Sequence, residues 1–143
     1  MESNRRDFIK KSVLGATALS VGGVLPGFSA SGYRNIIGAN DRINICVVGV
    51  NSRGLALAGN YAQQKNCNVI TISDTDSRAM EKCIASVKVI AGKAPRQAPD
   101  FRKALEDKDL DAIVVAMPDH WHAPAALLAL KAGKHVYLEK PCS

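Results

Sequence analysis

Aromatic side chains are scarce in this chain of 143 residues, with one Trp, three Tyr and three Phe. Its apolar content is carried by Ala, Val, Leu and Ile instead, a mix that suits parallel strands covered by helices better than a β-sandwich. The four cysteines, Cys46, Cys67, Cys83 and Cys142, form no CxxC pair, which argues against a structural zinc site. Cys46 lies in a strand-like run and Cys83 in a helix-like one, places where a thiol packs as a small hydrophobe. In an oxidising compartment two of the four could pair, and the sequence does not say which. No apolar run approaches the roughly 20 residues that span a bilayer, so no stable membrane anchor is expected. Basic residues never gather into a stripe interleaved with aromatics, so the net charge of +6 does not point to nucleic acid. Internal repeats and low-complexity tracts are absent too. The length suffices for one α/β domain with a core and not for two.

Part of the positive charge is concentrated at the start, where Arg5, Arg6, Lys10 and Lys11 stand against Glu2 and Asp7. The segment Asn4-Arg5-Arg6-Asp7-Phe8-Ile9-Lys10 resembles a twin-arginine export motif. A mildly apolar stretch from Val13 to Leu25 follows, diluted by Gly15, Gly22 and Gly23, and then come the small residues of Pro26 to Ser31. This order of charged, apolar and small residues is that of a cleaved secretory signal. No cysteine follows the apolar stretch to carry a lipid. The expected organisation is a twin-arginine signal peptide at 1–30, a polar linker at 31–41 and a folded domain at 42–143, with the protein exported to the periplasm.

The remainder alternates strand and helix. Ile43 to Val48 is a short apolar run ending at Gly49 and reads as a buried strand. Residues 54 to 65 place Leu55, Ala58, Tyr61 and Ala62 at helical spacing, and Asn68 to Ser73 is a second strand. Asp76 to Ala91 puts Met80, Ile84, Val87 and Ala91 on one helical face, closed by Gly92. Pro95 and Pro99 mark a loop, after which Asp100 caps a short helix through Glu106. Asp111 to Ala116 is a strand, Pro124 to Ala132 a helix ended by Gly133, and His135 to Leu138 the last strand. Connections this short imply right-handed βαβ units and a parallel sheet.

Gly49-Val50-Asn51-Ser52-Arg53-Gly54 joins the first strand to the first helix. It matches the dinucleotide fingerprint at the first and third glycines, with Asn51 in the second place. Gly49 permits the tight turn and Gly54 close helix–strand packing, while Asn tolerates left-handed backbone angles better than most residues. A bound pyrophosphate would share the helix amides with Arg53, whose charge is otherwise unfavourable at a helix start. Asp74 ends the second strand, 20 residues after Gly54, where a carboxylate accepts hydrogen bonds from a ribose diol. The same charge repels a 2′-phosphate, so NAD is favoured over NADP, and the nearby Arg78 leaves NADP open. The alternative for Asp74 is a helix-cap role beside Thr75 and Asp76.

Two further signatures fall at strand ends: Ala116-Met117-Pro118-Asp119-His120-Trp121-His122 after the fourth strand and Glu139-Lys140-Pro141 after the fifth. With the glycine loop, they give residues 41–143 a resemblance to the Gfo/Idh/MocA oxidoreductases, a family that includes glucose-fructose oxidoreductase and inositol dehydrogenase. The resemblance implies a Rossmann doubly wound parallel sheet that binds NAD. It further implies that Asp119, Trp121 and His122 line the nicotinamide side, that His120 belongs to the cofactor site, and that Glu139 and Lys140 contact the nicotinamide ribose. Lys140 would also face the substrate hydroxyl, as an acid–base group or an electrostatic partner. Taken singly, His120 and His122 could cap a helix or lie exposed, Trp121 could be packing, and Glu139-Lys140 could be a solvated pair. Nothing in the pattern supports a metal: Asp119 and the two histidines lack a third well-placed partner.

The implied reaction is hydride exchange between a sugar or polyol carbon and the nicotinamide. In the family a larger α/β substrate domain follows the Glu-Lys-Pro strand and adds acid–base residues. On that resemblance the substrate domain is expected to be absent from this chain, which alone is expected to bind cofactor weakly and to turn over little. A homo-oligomer of the intact protein stays open. Two other readings fit the same loop. One is an NAD-dependent glycoside hydrolase of the same fold family, and the other is a non-catalytic dinucleotide-binding module. Export of folded protein suits a cofactor that must be loaded in the cytoplasm, so the signal supports both catalytic readings.

Overall fold

The structure is a computed structural model in which residues 42–142 are described. The expected signal peptide and linker lie outside the described residues, as does Ser143. Five parallel strands run β1 (Ile43–Val48), β2 (Cys67–Ser73), β3 (Arg96–Gln97), β4 (Ala112–Val115) and β5 (His135–Leu138) in chain order. Between them lie α1 (Arg53–Ala62), α2 (Ser77–Ala91), α3 (Phe101–Leu105) and α4 (His122–Lys131), the last preceded by a 3-10 turn at Asp119–Trp121. Spatial order across the sheet is β3-β2-β1-β4-β5. The expected doubly wound sheet is therefore present, and its order reverses between β1 and β4.

Alternation along the strands divides the core into two layers. Ile45 and Val47 face α1 and α2, packing with Leu57, Ala58, Met80, Cys83 and Val87. Cys46 and Val48 face the other way, with Phe101, Leu105, Ile113, Ala125 and Ala129. A register shift between Ile45 and Cys46 pairs Ile45 with Val69 but Cys46 with Thr71. The extra residue, Ile70, explains how Val69 and Ile72, three apart, share the first layer. Fully burying side chains such as Ile72 and Ile113 contributes about 1.5–3 kcal/mol each.

Helix ends follow local chemistry. Asp76 caps α2 by accepting the Arg78 amide at 2.9 Å, and Asp100 caps α3 through the Arg102 amide at 3.0 Å. Gly92 and Gly133 stop their helices with φ of +73°. The first helix ends at Ala62, three residues earlier than expected, and two further elements differ from expectation. Arg96 and Gln97, read as loop because Pro95 and Pro99 bracket them, add a two-residue edge strand to Thr71 and Ile72. The fourth helix begins at His122, two residues before Pro124, because that proline sits in the first turn where its missing N–H costs nothing.

Among the described residues, no helix is long and apolar enough to cross a membrane.

Candidate functional site

The glycine loop binds two strand ends together. Gly49 has φ of +82°, and a Cβ there would stand 2.8 Å from the Ala116 carbonyl group and the Met117 nitrogen. At Gly54 a Cβ would stand 2.0 Å from the Gly49 carbonyl oxygen. Both positions are closed to any side chain, so β1, α1 and the loop after β4 meet backbone to backbone. Ser52 precedes α1 and makes no side-chain cap, leaving the first amides of the helix free to meet an anion.

Asp74 is tied to that loop. One carboxylate oxygen accepts the Val50 amide at 2.6 Å and the other the Asp76 amide at 3.0 Å. The helix-cap role belongs to Asp76 and not to Asp74. Each Asp74 oxygen keeps a second lone pair, and the side chain lines a cleft of about 730 Å³. Gly49, Asn51, Ser52, Ser73 and Thr75 share that cleft, with Pro99 to Arg102 on its far wall. His120 and Trp121 reach it from the 3-10 turn, Trp121 remaining 45% exposed. The cationic side chains near Asp74 are occupied. Arg78 holds both Asp76 oxygens at 3.3 Å, and Arg102 holds Asp100, whose carboxyl it drives down to about 2.

A second cleft of about 550 Å³ lies beyond Ala116 and Met117, which line both. Its other walls are Arg53, Asp119, His122, Glu139 and Lys140. The structure thus carries Arg53 away from the first cleft. Its Nε donates to Glu139 Oε1 at 3.0 Å, Nη2 stands in an ion pair with the same oxygen at 3.0 Å, and the Tyr137 hydroxyl donates to it at 3.2 Å. The Arg53 hydrogen bond lowers the Glu139 pKa and raises that of Arg53. Lys140 is exposed at the rim. His122 is 1% exposed, with Nδ1 at 2.8 Å from the Pro141 carbonyl and Nε2 at 2.8 Å from the Met117 carbonyl. Among the described residues, no three His, Cys, Asp or Glu side chains gather as a metal site.

Gly54 lies against the Gly49 carbonyl and lines neither cleft, and the other expected site residues fall into two groups. Gly49, Asn51, Ser52, Asp74, His120 and Trp121 converge on the first cleft, and Arg53, Asp119, His122, Glu139 and Lys140 on the second. Sequence reasoning missed Met117, shared by both, and the far wall at Pro99 to Arg102. Their signal was position alone, since each follows a strand. Tyr61 and Lys65 stand in the Tyr-x-x-x-Lys spacing of short-chain dehydrogenases. Tyr61 packs edge-on against Tyr137 with ring centroids 6.2 Å apart, and neither Tyr61 nor Lys65 lines either cleft.

Comparison with known proteins gives a consistent picture. A family model described as "Oxidoreductase family, NAD-binding Rossmann fold" (GFO_IDH_MocA) matches residues 43–143. The chain is 26% identical over 155 aligned positions to a "Glycosyl hydrolase family 109 protein" of Shewanella pealeana, covering 99% of this chain and 34% of that protein. Apo scyllo-inositol dehydrogenase from Lactobacillus casei superposes with a TM-score of 0.63 at 26% identity, over 72% of this chain and 29% of that one. An NAD binding oxidoreductase from Klebsiella pneumoniae gives 0.60 at 29% identity, over 72% and 28%. The chain thus spans about one third of the length of the curated relatives it matches.

Proposed function

Because the chain belongs to the Gfo/Idh/MocA oxidoreductase family, we propose that it holds NAD across both clefts, as the nucleotide-binding part of an enzyme acting on a sugar or polyol. One observation carries this reading. The loop from Gly49 to Gly54 excludes every side chain at its closest approach, and the lone pairs of Asp74 stand beside it. That arrangement fits a diphosphate against the amides of Asn51 to Gly54, with the adenosine ribose hydroxyls donating to Asp74. NAD is preferred to NADP because Asp74 is acidic and the nearest guanidinium groups, of Arg78 and Arg102, are held by carboxylates.

The nicotinamide end then belongs in the second cleft. When bound, NAD supplies hydride exchange with a hydroxyl-bearing carbon. Glu139, held by Arg53 and Tyr137, is fixed where it can accept from the nicotinamide ribose. Lys140 stands at the rim, where Nζ can take or give the proton of the substrate hydroxyl. Asp119 faces it across the same cleft. The relatives are about three times as long as this chain, and no acid–base group besides Lys140 is assigned to the reaction. The Arg5-Arg6 motif supports export by the twin-arginine route.

Titration of the chain with NAD and with NADP tests the binding. Saturable binding with NAD at least about tenfold tighter is expected, equal to about 1.4 kcal/mol, and binding of neither would refute the reading. A second reading, NAD-dependent glycoside cleavage, is favoured by the name of the Shewanella relative. In the full-length protein, release of aglycone from a chromogenic glycoside without net NADH would select it over net oxidation of a free sugar.

A further inference from the structure

His122 is the largest buried polar side chain among the described residues, and its position on the first turn of α4 places it behind the second cleft. Its two ring nitrogens each stand 2.8 Å from a carbonyl oxygen, one from Met117 after β4 and one from Pro141 after β5. A neutral imidazole has one N–H and one lone pair. One of the two contacts would then set a nitrogen lone pair against a carbonyl oxygen on a side chain that is 1% exposed. Only a ring with two N–H groups satisfies both.

We propose that His122 is a positioning residue that carries both ring protons, clasps the Met117 and Pro141 carbonyls, and so sets the width of the second cleft. The two clasped carbonyls belong to the loops that carry Asp119 on one side and Glu139 and Lys140 on the other. The charged groups sharing that cleft with the ring are Asp119 from the 3-10 turn, Glu139 and Lys140 after β5, and Arg53 from α1. Arg53 is paired with Glu139, so the groups that directly accept from a doubly protonated ring are the two carbonyl oxygens. His122 itself offers no free nitrogen to a ligand, because both are used. It acts through the loops.

This inference rests on the reading that the second cleft takes the nicotinamide end of NAD, and ADP separates the two ideas because it carries the adenosine diphosphate half alone. Calorimetry of the chain, H122A and H122Q with NAD and with ADP is the test. For H122A, NAD binding is expected to weaken about tenfold and ADP binding to stay within about twofold. H122Q, whose amide can donate to one carbonyl at a time, is expected to recover part of the loss. Nitrogen-15 spectra of the histidine rings in the unaltered chain at neutral pH should show both His122 nitrogens protonated. Unchanged NAD binding in H122A, equal weakening of NAD and ADP, or a His122 nitrogen bearing a lone pair would overturn the proposal. If H122A fails to fold, H122Q and the ring spectrum decide. Failure of the unaltered chain to bind either nucleotide counts against the proposed function, while the ring spectrum still decides the clasp.

Discussion

At the amino ends of the strands polar side chains close on one another, whereas at the carboxyl ends they converge on open clefts. Asn44, at the start of β1, donates to the Asp109 carbonyl, accepts from Asn68 at the start of β2, and has its own amide capped by Asp111 ahead of β4. Lys134, ahead of β5, donates to the Asp107 and Leu110 carbonyls at 2.7 and 2.8 Å. At that end the side chains of Asn44 and Lys134 meet acceptors within the chain. At the other end Asp74 retains lone pairs, α1 begins without a side-chain cap, and Lys140 points to solvent. One end of the sheet is finished for stability and the other is left incomplete for a ligand. Substitutions at the two ends should therefore separate binding from folding.

The largest effect is expected at Gly54, where both fail together. In G54A the Cβ would overlap the Gly49 carbonyl at 2.0 Å, costing about 3 kcal/mol or more on chemical denaturation, with loss of NAD binding. Next comes Asp74. D74N replaces one acceptor oxygen with a donor, and calorimetry should show NAD weakened about 10- to 30-fold, more than the change in stability accounts for. The amino end supplies the opposite result. K134M should lower stability by about 1–2 kcal/mol and leave NAD affinity unchanged. Equal binding losses in D74N and K134M would break the contrast.

Smaller effects sharpen it. The Arg53 hydrogen bond lowers the Glu139 pKa, so this tie is fully present above the usual carboxylate range and is lost as pH falls through the lowered value. An NMR titration of the Arg53 Nε–H should show a step below that range, absent in E139Q. The smallest effect is expected for R78A. That guanidinium is 89% exposed and held by Asp76, so NAD affinity should change less than about twofold.

The sheet was legible from sequence because buried parallel strands read as short apolar runs, and β1 and β4 declare themselves that way. The first cleft was legible because backbone contact at Gly49 and Gly54 admits one residue type, which leaves a trace in the sequence. β3 was hidden because two residues between prolines carry no periodicity, and its pairing depends on β2 already being in place. The second cleft was legible as a set of residues and not as a geometry. Arg53 and Glu139 are 86 positions apart, and no local pattern shows that the arginine turns to this carboxylate and away from the phosphate loop. The burial of His122 was hidden for the same reason, since its two partners are carbonyls from different loops.

The most direct test is to add NAD to the isotope-labelled chain and follow its backbone amides by NMR. The account predicts shifts at Val50 to Gly54 and at Asp74 to Asp76, together with Asp119 and Glu139 to Lys140, while the amides around Asn44, Asp111 and Lys134 stay still. Shifts confined to the amino ends of the strands, or none at saturating NAD, would contradict it.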